Sequence, residues 1–388
     1  MDANATTPLL PEVFEAMRPF LLEHFGNASS IHQPGQHARA AVDHAREQFA
    51  RLLHCRSSEI IFTSGGTESD NLALFGVLAA GDHLVTSRIE HHAVLHAAEA
   101  LANRGVEVTF LPCTAHGLIE PAALAAALRP NTKLVSIMLA NNETGVIEPV
   151  AELAQITHAH GALFHTDAVQ AAGKLPLDLG PKGPLAAIDL LSISGHKIYA
   201  PQGTGVLFCR RNVRLSPMFH GGTHERQRRA GTENVAGIVA LGKAADSASA
   251  WLASSEPAEL AARRDRLEQT ILREVEECGV NGGALPGEPL TRTPNTTNLW
   301  FDHVEAEALV IALDLKGLAV SGGSACQSGA TEPSHVLTAM GLSQQRARAS
   351  IRISLSRLTT DDDVDFSLSL IPGAVARLRG LSPAWKAA

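Results

Sequence analysis

Between residues 58 and 210, short apolar runs rich in Ile, Val and Leu alternate with longer Ala- and Leu-rich stretches. EIIFTSGG is followed by DNLALFGVLAA, DHLVTSRI by HHAVLHAAEALANRG, VEVTFLPC by EPAALAAALRP and KLVSIML by PVAELAQITHAHG, with ALFHTD and DLLSISGH closing the series. Compact apolar runs bounded by turn residues suit buried strands, and the longer periodic stretches suit helices that cover them. The alternation predicts an α/β fold with a mainly parallel sheet and crossover helices. In such sheets ligands collect beyond the carboxyl ends of the strands. After GVLFCRR the pattern loosens, one long Ala/Glu/Arg-rich helix is predicted over 236–279, and NTTNLWF begins a second strand–helix set. The expected division is a large domain over 10–250 and a smaller α/β domain formed by 1–9 and 251–388.

The chain has 388 residues, more than a single core comfortably holds. Its net charge of −8 argues against nucleic acid as a main partner, and the cluster Arg226, Arg228 and Arg229 is too short to reverse that. The most apolar candidate, ALVIALDLKGLAV, is interrupted by Asp314 and Lys316, so no membrane-spanning stretch is expected. MDANATTPLL lacks the basic-then-apolar pattern of a secretory signal. Five dispersed cysteines without a CxxC pair argue against a disulfide framework or structural zinc and fit a reducing cytoplasm.

The residues with chemical potential fall where the predicted strands stop. In LLSISGHKIYAPQG, Lys197 follows His196 at the end of an apolar run. A lysine there is costly unless paired, lowered in pKa or covalently modified, and a Schiff base with pyridoxal phosphate (PLP) is one resolution; an ordinary surface lysine is the other. TSGGTES, with Gly66 and Thr67, follows a strand and opens a helix, which makes a phosphate site or a plain turn. In IEHHAVLH, His91 sits at a strand-to-helix junction suited to stacking on a planar cofactor and moving protons. His92 and His96 share a helix face without an apparent third metal ligand, so no metal is expected. NNETG ends another strand with amide groups. In HTDAVQ, Asp167 is placed to pair with a protonated pyridine nitrogen or to cap a helix.

Farther along, SGGSACQSGATEPSHVL surrounds Cys326 with residues too small to build a packed core segment. A mobile loop presenting a nucleophilic thiol is expected there, whereas Cys209 reads as buried and inert. Arg352, in SIRISLSR, is an inward-facing arginine on a strand, and a substrate carboxylate is its natural partner.

With these pieces in order, the chain resembles the NifS/IscS-type cysteine desulfurases, PLP enzymes of the class V aminotransferase fold. DANATTP, FGNASSIHQPGQHAR, IIFTSGGTESDNLAL, SIMLANNETGVIEPVAE, HTDAVQAAGK, SISGHKIYAPQGTG, HGGTHERQRRAGTENVAGIVA, SGGSACQSGATEPSHVLTAMGL and SIRISLSRLTTDDDVD carry the likeness along nearly the whole length. The resemblance implies a PLP-dependent fold type I (aspartate aminotransferase-like) homodimer. It implies that Lys197 forms the aldimine, that Gly66, Thr67, Ser194 and His196 bind the phosphate, that His91 stacks on the ring, and that Asp167 meets its nitrogen. Asn142 and Gln170 would hold the ring oxygen and substrate, Arg352 the substrate carboxylate, and Thr232 the phosphate of the neighbouring subunit. L-cysteine would yield L-alanine and a persulfide on Cys326, with proton transfer helped by Lys197 or His91, and the sulfur would pass to an iron-sulfur scaffold or other acceptor protein. No resident metal is implied, apart from transient ligation of a scaffold's cluster by Cys326.

Ala200 and Gln202 depart from the family's usual glycine and lysine after the His-Lys pair. Met1 directly precedes Asp2, so the short leading strand is missing or the start lies upstream, and LSPAWKAA lacks the longer tail with which some members dock their scaffold. The alternative enzymes are a selenocysteine lyase or another PLP-dependent lyase or aminotransferase of the same fold; an aminotransferase needs no thiol such as Cys326. A non-catalytic scaffold would be expected to lack Lys197, Asp167 or Cys326, and all three are present.

Overall fold

The computed structural model describes residues 1–282, 292–322, 333–381 and 385. Its first seven strands are β1 (Ile60–Thr63), β2 (His83–Ser87), β3 (Glu107–Leu111), β4 (Thr132–Ser136), β5 (Leu163–Asp167), β6 (Leu190–Ser194) and β7 (Gly205–Cys209). They form one sheet in the order β1-β7-β6-β5-β4-β2-β3. β7 runs antiparallel to both neighbours, β1 and β6, and the remaining pairs are parallel. Reversal of β7 alone leaves the carboxyl ends of the other six strands on one side.

Alternate side chains on each strand enter opposite cores, as the two-residue period requires. On β7, Val206 and Phe208 join a core with Phe49, Phe164 and Leu241, while Leu207 and Cys209 join one with Leu72, Leu74 and Val94. Both faces are covered, which explains why the strands read as continuous apolar runs.

A second sheet is formed by β8 (Cys278–Val280), β9 (Thr296–Phe301), β10 (Ser321–Gly322) and β11 (Ser350–Ser354), in the antiparallel order β10-β11-β9-β8. It has a separate core around Leu267, Ile271, Phe301, Leu309, Ile351 and Ile371. The N-terminal residues reach this sheet through a bridge from Asp2 to Ser354.

The single long helix expected over 236–279 is instead two helices, Val235–Leu252 and Glu256–Glu274, followed by β8. The break falls at Ser254, whose hydroxyl accepts from Glu256 N (3.2 Å), and at Pro257, which suits the first turn of a new helix. The first helix packs Ile238, Leu241 and Ala245 on the large sheet, and the second packs Leu267 and Ile271 under the small one. Among the described residues no helix is long and apolar enough to cross a membrane.

Candidate active site

A cavity of about 300 Å³ opens beyond the carboxyl ends of the parallel strands. Gly66 and Thr67 reach it after β1, His91 after β2, Asn142 after β4, Asp167 and Gln170 at the end of β5, and Ser194, His196 and Lys197 at the end of β6. Arg352 enters from β11 of the other sheet. Residues far apart in the chain therefore meet in one chamber, as the common polarity of these strands requires.

One end is built for an anion. Helix Gly66–Val77 starts without a side-chain cap, which leaves its first N–H groups available to an anion at the end of the cavity lined by Gly66, Thr67, Ser194 and His196. Close backbone passage requires glycine here: a Cβ on Gly205 would lie 2.6 Å from Gly65 Cα, and one on Gly66 would lie 2.8 Å from Val169 Cγ2. Glu68, an acid on the same turn, accepts from Ser64 N (2.7 Å) and pairs with Arg229 (2.8 Å), which neutralises it. Burial and the nearby Lys197 push the pKa of His196 down to about 4, leaving a neutral ring whose Nδ1 lies 3.1 Å from Thr6 Oγ1.

The other end is built for a planar cation and an amine. Asp167 accepts from Val169 N (2.8 Å), so it fixes the turn after β5 as well as facing the cavity. Burial raises its pKa to about 6, opposed by the Val169 N–H and by Lys197. Lys197 Nζ donates to the carbonyls of Asn4 (2.5 Å) and Ala5 (2.6 Å). His91 caps helix His92–Ala102, accepting from Ala93 N at Nδ1 (3.2 Å), and burial lowers its pKa to about 4.

Arg352, 3% exposed, donates to Asn142 O (3.0 Å) and to Asp2 Oδ1 (2.8 Å), while its Nε has no hydrogen-bond partner among the described residues. Asn142 Oδ1 is likewise buried and unpartnered among them.

The structure adds residues that sequence patterns did not single out. Asn4 and Ala5 wall the cavity beside Lys197. Lys174 donates to Gln170 O (3.1 Å) and Oε1 (3.0 Å), while Gln170 Nε2 donates to Asn4 O (3.0 Å), which fixes the amide's orientation. Burial, with Lys197 and Arg352 nearby, lowers the pKa of Lys174 to about 7. Glu143, inside NNETG, accepts from Ser334 Oγ (2.5 Å), just after segment 323–332. The Gln170–Lys174 spacing of four in HTDAVQAAGK was the one local signal; the other contacts join segments distant in sequence.

Cys326 falls outside the described residues. Thr232 is exposed and does not line this cavity. His92 stacks near His96 and His335, with ring centroids 5.0 and 4.7 Å away, yet among the described residues no three His, Cys, Asp or Glu side chains form a metal-binding group. Cys209 is fully buried, with its thiol pKa raised to about 11 by burial.

Residues 1–366 match the family model for aminotransferase class-V. The chain belongs to the class V aminotransferase family. It is 46% identical to "Cysteine desulfurase IscS" of Dictyoglomus turgidum over 99% of this chain and 96% of that one. A solved "NifS-like protein" superposes with a TM-score of 0.88 at 33% identity, covering 97% of this chain and 98% of the other. A structure described as "SspA in complex with cysteine" gives 0.79 at 35% identity, with 92% and 99% covered. Class V aminotransferases of this desulfurase branch are PLP-dependent enzymes, and the cavity fits that cofactor. An uncapped helix N-terminus suits its phosphate, buried Asp167 suits its ring nitrogen, and the Lys197 amine suits its aldehyde.

Proposed function

We propose that this cysteine desulfurase binds L-cysteine in the Lys197 cavity, releases L-alanine and carries the sulfur away as a persulfide on Cys326. The observation that supports it most is the convergence on one chamber of Lys197, Asp167 and His91 from three strand ends of the large sheet and of Arg352 from β11 of the small one. PLP, when bound there, supplies an electron sink for charge that develops on the substrate carbon.

The protein's own groups then have distinct tasks. The helix that begins at Gly66, with Thr67, Ser194 and His196, binds the phosphate, and Asp167 keeps a proton on the ring nitrogen. His91 covers the ring, and Gln170 and Asn142 orient the ring oxygen and the substrate. Lys197 would hold the aldehyde of the cofactor, and its amine, with His91, would move a proton at the substrate. Arg352 takes the substrate carboxylate at the edge carrying its unpartnered Nε. The Cys326 thiolate attacks the substrate sulfur, an S–S bond forms as the C–S bond breaks, and a proton completes the methyl group of alanine. Cysteine and one thiol thus become alanine and one persulfide, with no outside oxidant.

The same reading assigns two structural units meeting near residue 250, with residues 1–9 belonging to the second. It places the enzyme in the cytoplasm as a homodimer in which Thr232 reaches the neighbouring subunit's phosphate. An iron-sulfur scaffold or another acceptor protein takes the sulfur. Separate cores for the two sheets and the Asp2–Ser354 bridge support the division.

Substitution Cys326→Ala is expected to abolish sulfide release from cysteine while retaining the cofactor absorbance, and Lys197→Ala to abolish the lysine-dependent band. Full turnover by C326A overturns the persulfide assignment. Alanine formation from cysteine compared with selenocysteine separates a desulfurase from a selenocysteine lyase.

A further inference from the structure

Helix Gly66–Val77 brings Asp70 against the sheet at the floor of the cavity, where it is 1% exposed. The surface it meets carries a line of polar side chains running across three strands. Ser136 Oγ on β4 lies 2.8 Å from His165 Nδ1 on β5, and His165 Nε2 lies 3.0 Å from Ser192 Oγ on β6. Ser136, His165 and Ser192 are all completely buried. Both ring nitrogens are engaged by hydroxyls, and burial drives the His165 pKa down to about 3, so the ring is neutral.

Asp70 Oδ1 lies 3.7 Å from His165 Nε2, beyond hydrogen-bond distance, and has no hydrogen-bond partner among the described residues. The nearby Ser192 hydroxyl favours the ionised form of Asp70, but desolvation and the neighbouring Asp167 outweigh it. The titratable groups acting on Asp70 are acids: Asp167, two residues past His165 on the same face of β5, and Glu90 at the approach to helix His92–Ala102, whose own pKa burial raises to about 8. Lys197 favours the ionised form of Asp167. An ionised Asp70 would therefore be a fully buried carboxylate beside another carboxylate, with a neutral imidazole in front of it. Both charge repulsion and desolvation oppose that state.

We propose that Asp70 is a positioning residue that keeps its proton at working pH, so that Asp167 remains the anion facing the cofactor ring. This rests on Asp167 being the partner of the ring nitrogen. The line Ser136–His165–Ser192 is the fixed polar base on which both carboxyl groups sit.

Infrared difference spectroscopy of the holoenzyme at neutral pH tests this directly. Glu90, Glu143 and Glu148 are also buried acids with raised pKa values, and their bands cancel in the difference between wild type and Asp70→Asn. That difference is expected to show one carboxylic-acid C=O component lost in D70N; a difference that shows loss of a carboxylate band instead, or no loss in the acid region, overturns the proposal. Turnover supplies a second arm, since asparagine mimics the neutral acid: D70N is expected to lower kcat by less than about tenfold and D70A by more, tenfold being the equivalent of one pKa unit of interaction. Equal losses in the two variants overturn the proposal. If D70N does not fold, Ser192→Ala is expected to shift the frequency of the acid band, and an unmoved band counts against it. Failure of the underlying reading is recognised separately, because wild-type turnover and an unaltered cofactor spectrum in Asp167→Asn would remove Asp167 as the ring partner whatever Asp70 does.

Discussion

Arg352 Nη2 lies 2.8 Å from Asp2 Oδ1, and the other oxygen of that carboxylate accepts from Ser321 Oγ (2.7 Å). The pair ties the N-terminal residues to β10 and β11 and turns the guanidinium so that its Nε edge remains for a ligand. Loss of a charge-assisted bond to the substrate costs about 1.5–3 kcal/mol, so Arg352→Ala should raise KM for cysteine by about 10- to 100-fold. Arg352→Lys keeps the charge without the planar fork and should fall between wild type and alanine. An unchanged KM in R352A would remove Arg352 from substrate binding.

Lys174 Nζ donates to the Gln170 side-chain Oε1 (3.0 Å) and to its backbone carbonyl (3.1 Å), which helps hold the amide in one orientation. Lys174→Met should leave that amide free to turn and weaken cofactor binding by about tenfold, the scale of one buried hydrogen bond. It also removes a positive neighbour of Lys197, which should move the pH midpoint of the lysine-dependent cofactor band upward. Spectrophotometric titration reads both, and a midpoint that moves down contradicts the assignment.

Glu148 is buried and accepts from Ile119 N (2.8 Å), yet burial raises its pKa from 4.5 to about 8. Below pH 4.5 the acid is protonated in both states and has no linkage cost. As pH rises toward 8, the unfolded chain ionises first and the folded state loses relative stability. Glu148→Gln removes this titration, so the Tm of E148Q relative to wild type should rise between pH 5 and pH 8, by an amount on the order of several degrees. A difference that does not change with pH argues that Glu148 is ionised in the fold.

Glu225 makes a bidentate pair with buried Arg46, both bonds 2.7 Å, and also accepts from Phe62 N (3.1 Å). It holds a run of three left-handed residues, Glu225, Arg226 and Gln227 with φ of 46°, 58° and 67°, which is unfavourable for residues with side chains. Glu225→Ala leaves Arg46 buried without its counterion and should cost about 3–5 kcal/mol, seen as a lower midpoint of denaturant unfolding with an unchanged slope. A change under about 1 kcal/mol would class the pair with ordinary surface bridges.

Strand positions and the residues at their carboxyl ends were legible because full burial of the large sheet demands unbroken apolar runs, and parallel packing brings their ends together. Gly66, His91, Asp167 and Lys197 were visible for that reason. The break between Leu252 and Glu256 was missed because helical periodicity continues across it, although Ser254, Ser255 and Pro257 form a start signal. Asp70 was hidden inside a helical stretch, where an acid normally reads as a solvated position. Its neighbours become known only when β4, β5 and β6 are in register. Asp2 was likewise unreadable as the partner of Arg352, since 350 positions separate them.

That separation also orders events in time. Asn4 contributes its carbonyl to Lys197 and Gln170, its side-chain amide donates to Thr296 Oγ1 (2.9 Å), and its backbone N–H donates to Ser354 Oγ (3.0 Å). The wall beside Lys197 is therefore unfinished on a ribosome-bound chain until β9 and β11 have emerged. The large sheet can assemble before then, but a competent cofactor chamber is a late product of synthesis, completed when Asn4 is captured by strands made long after it.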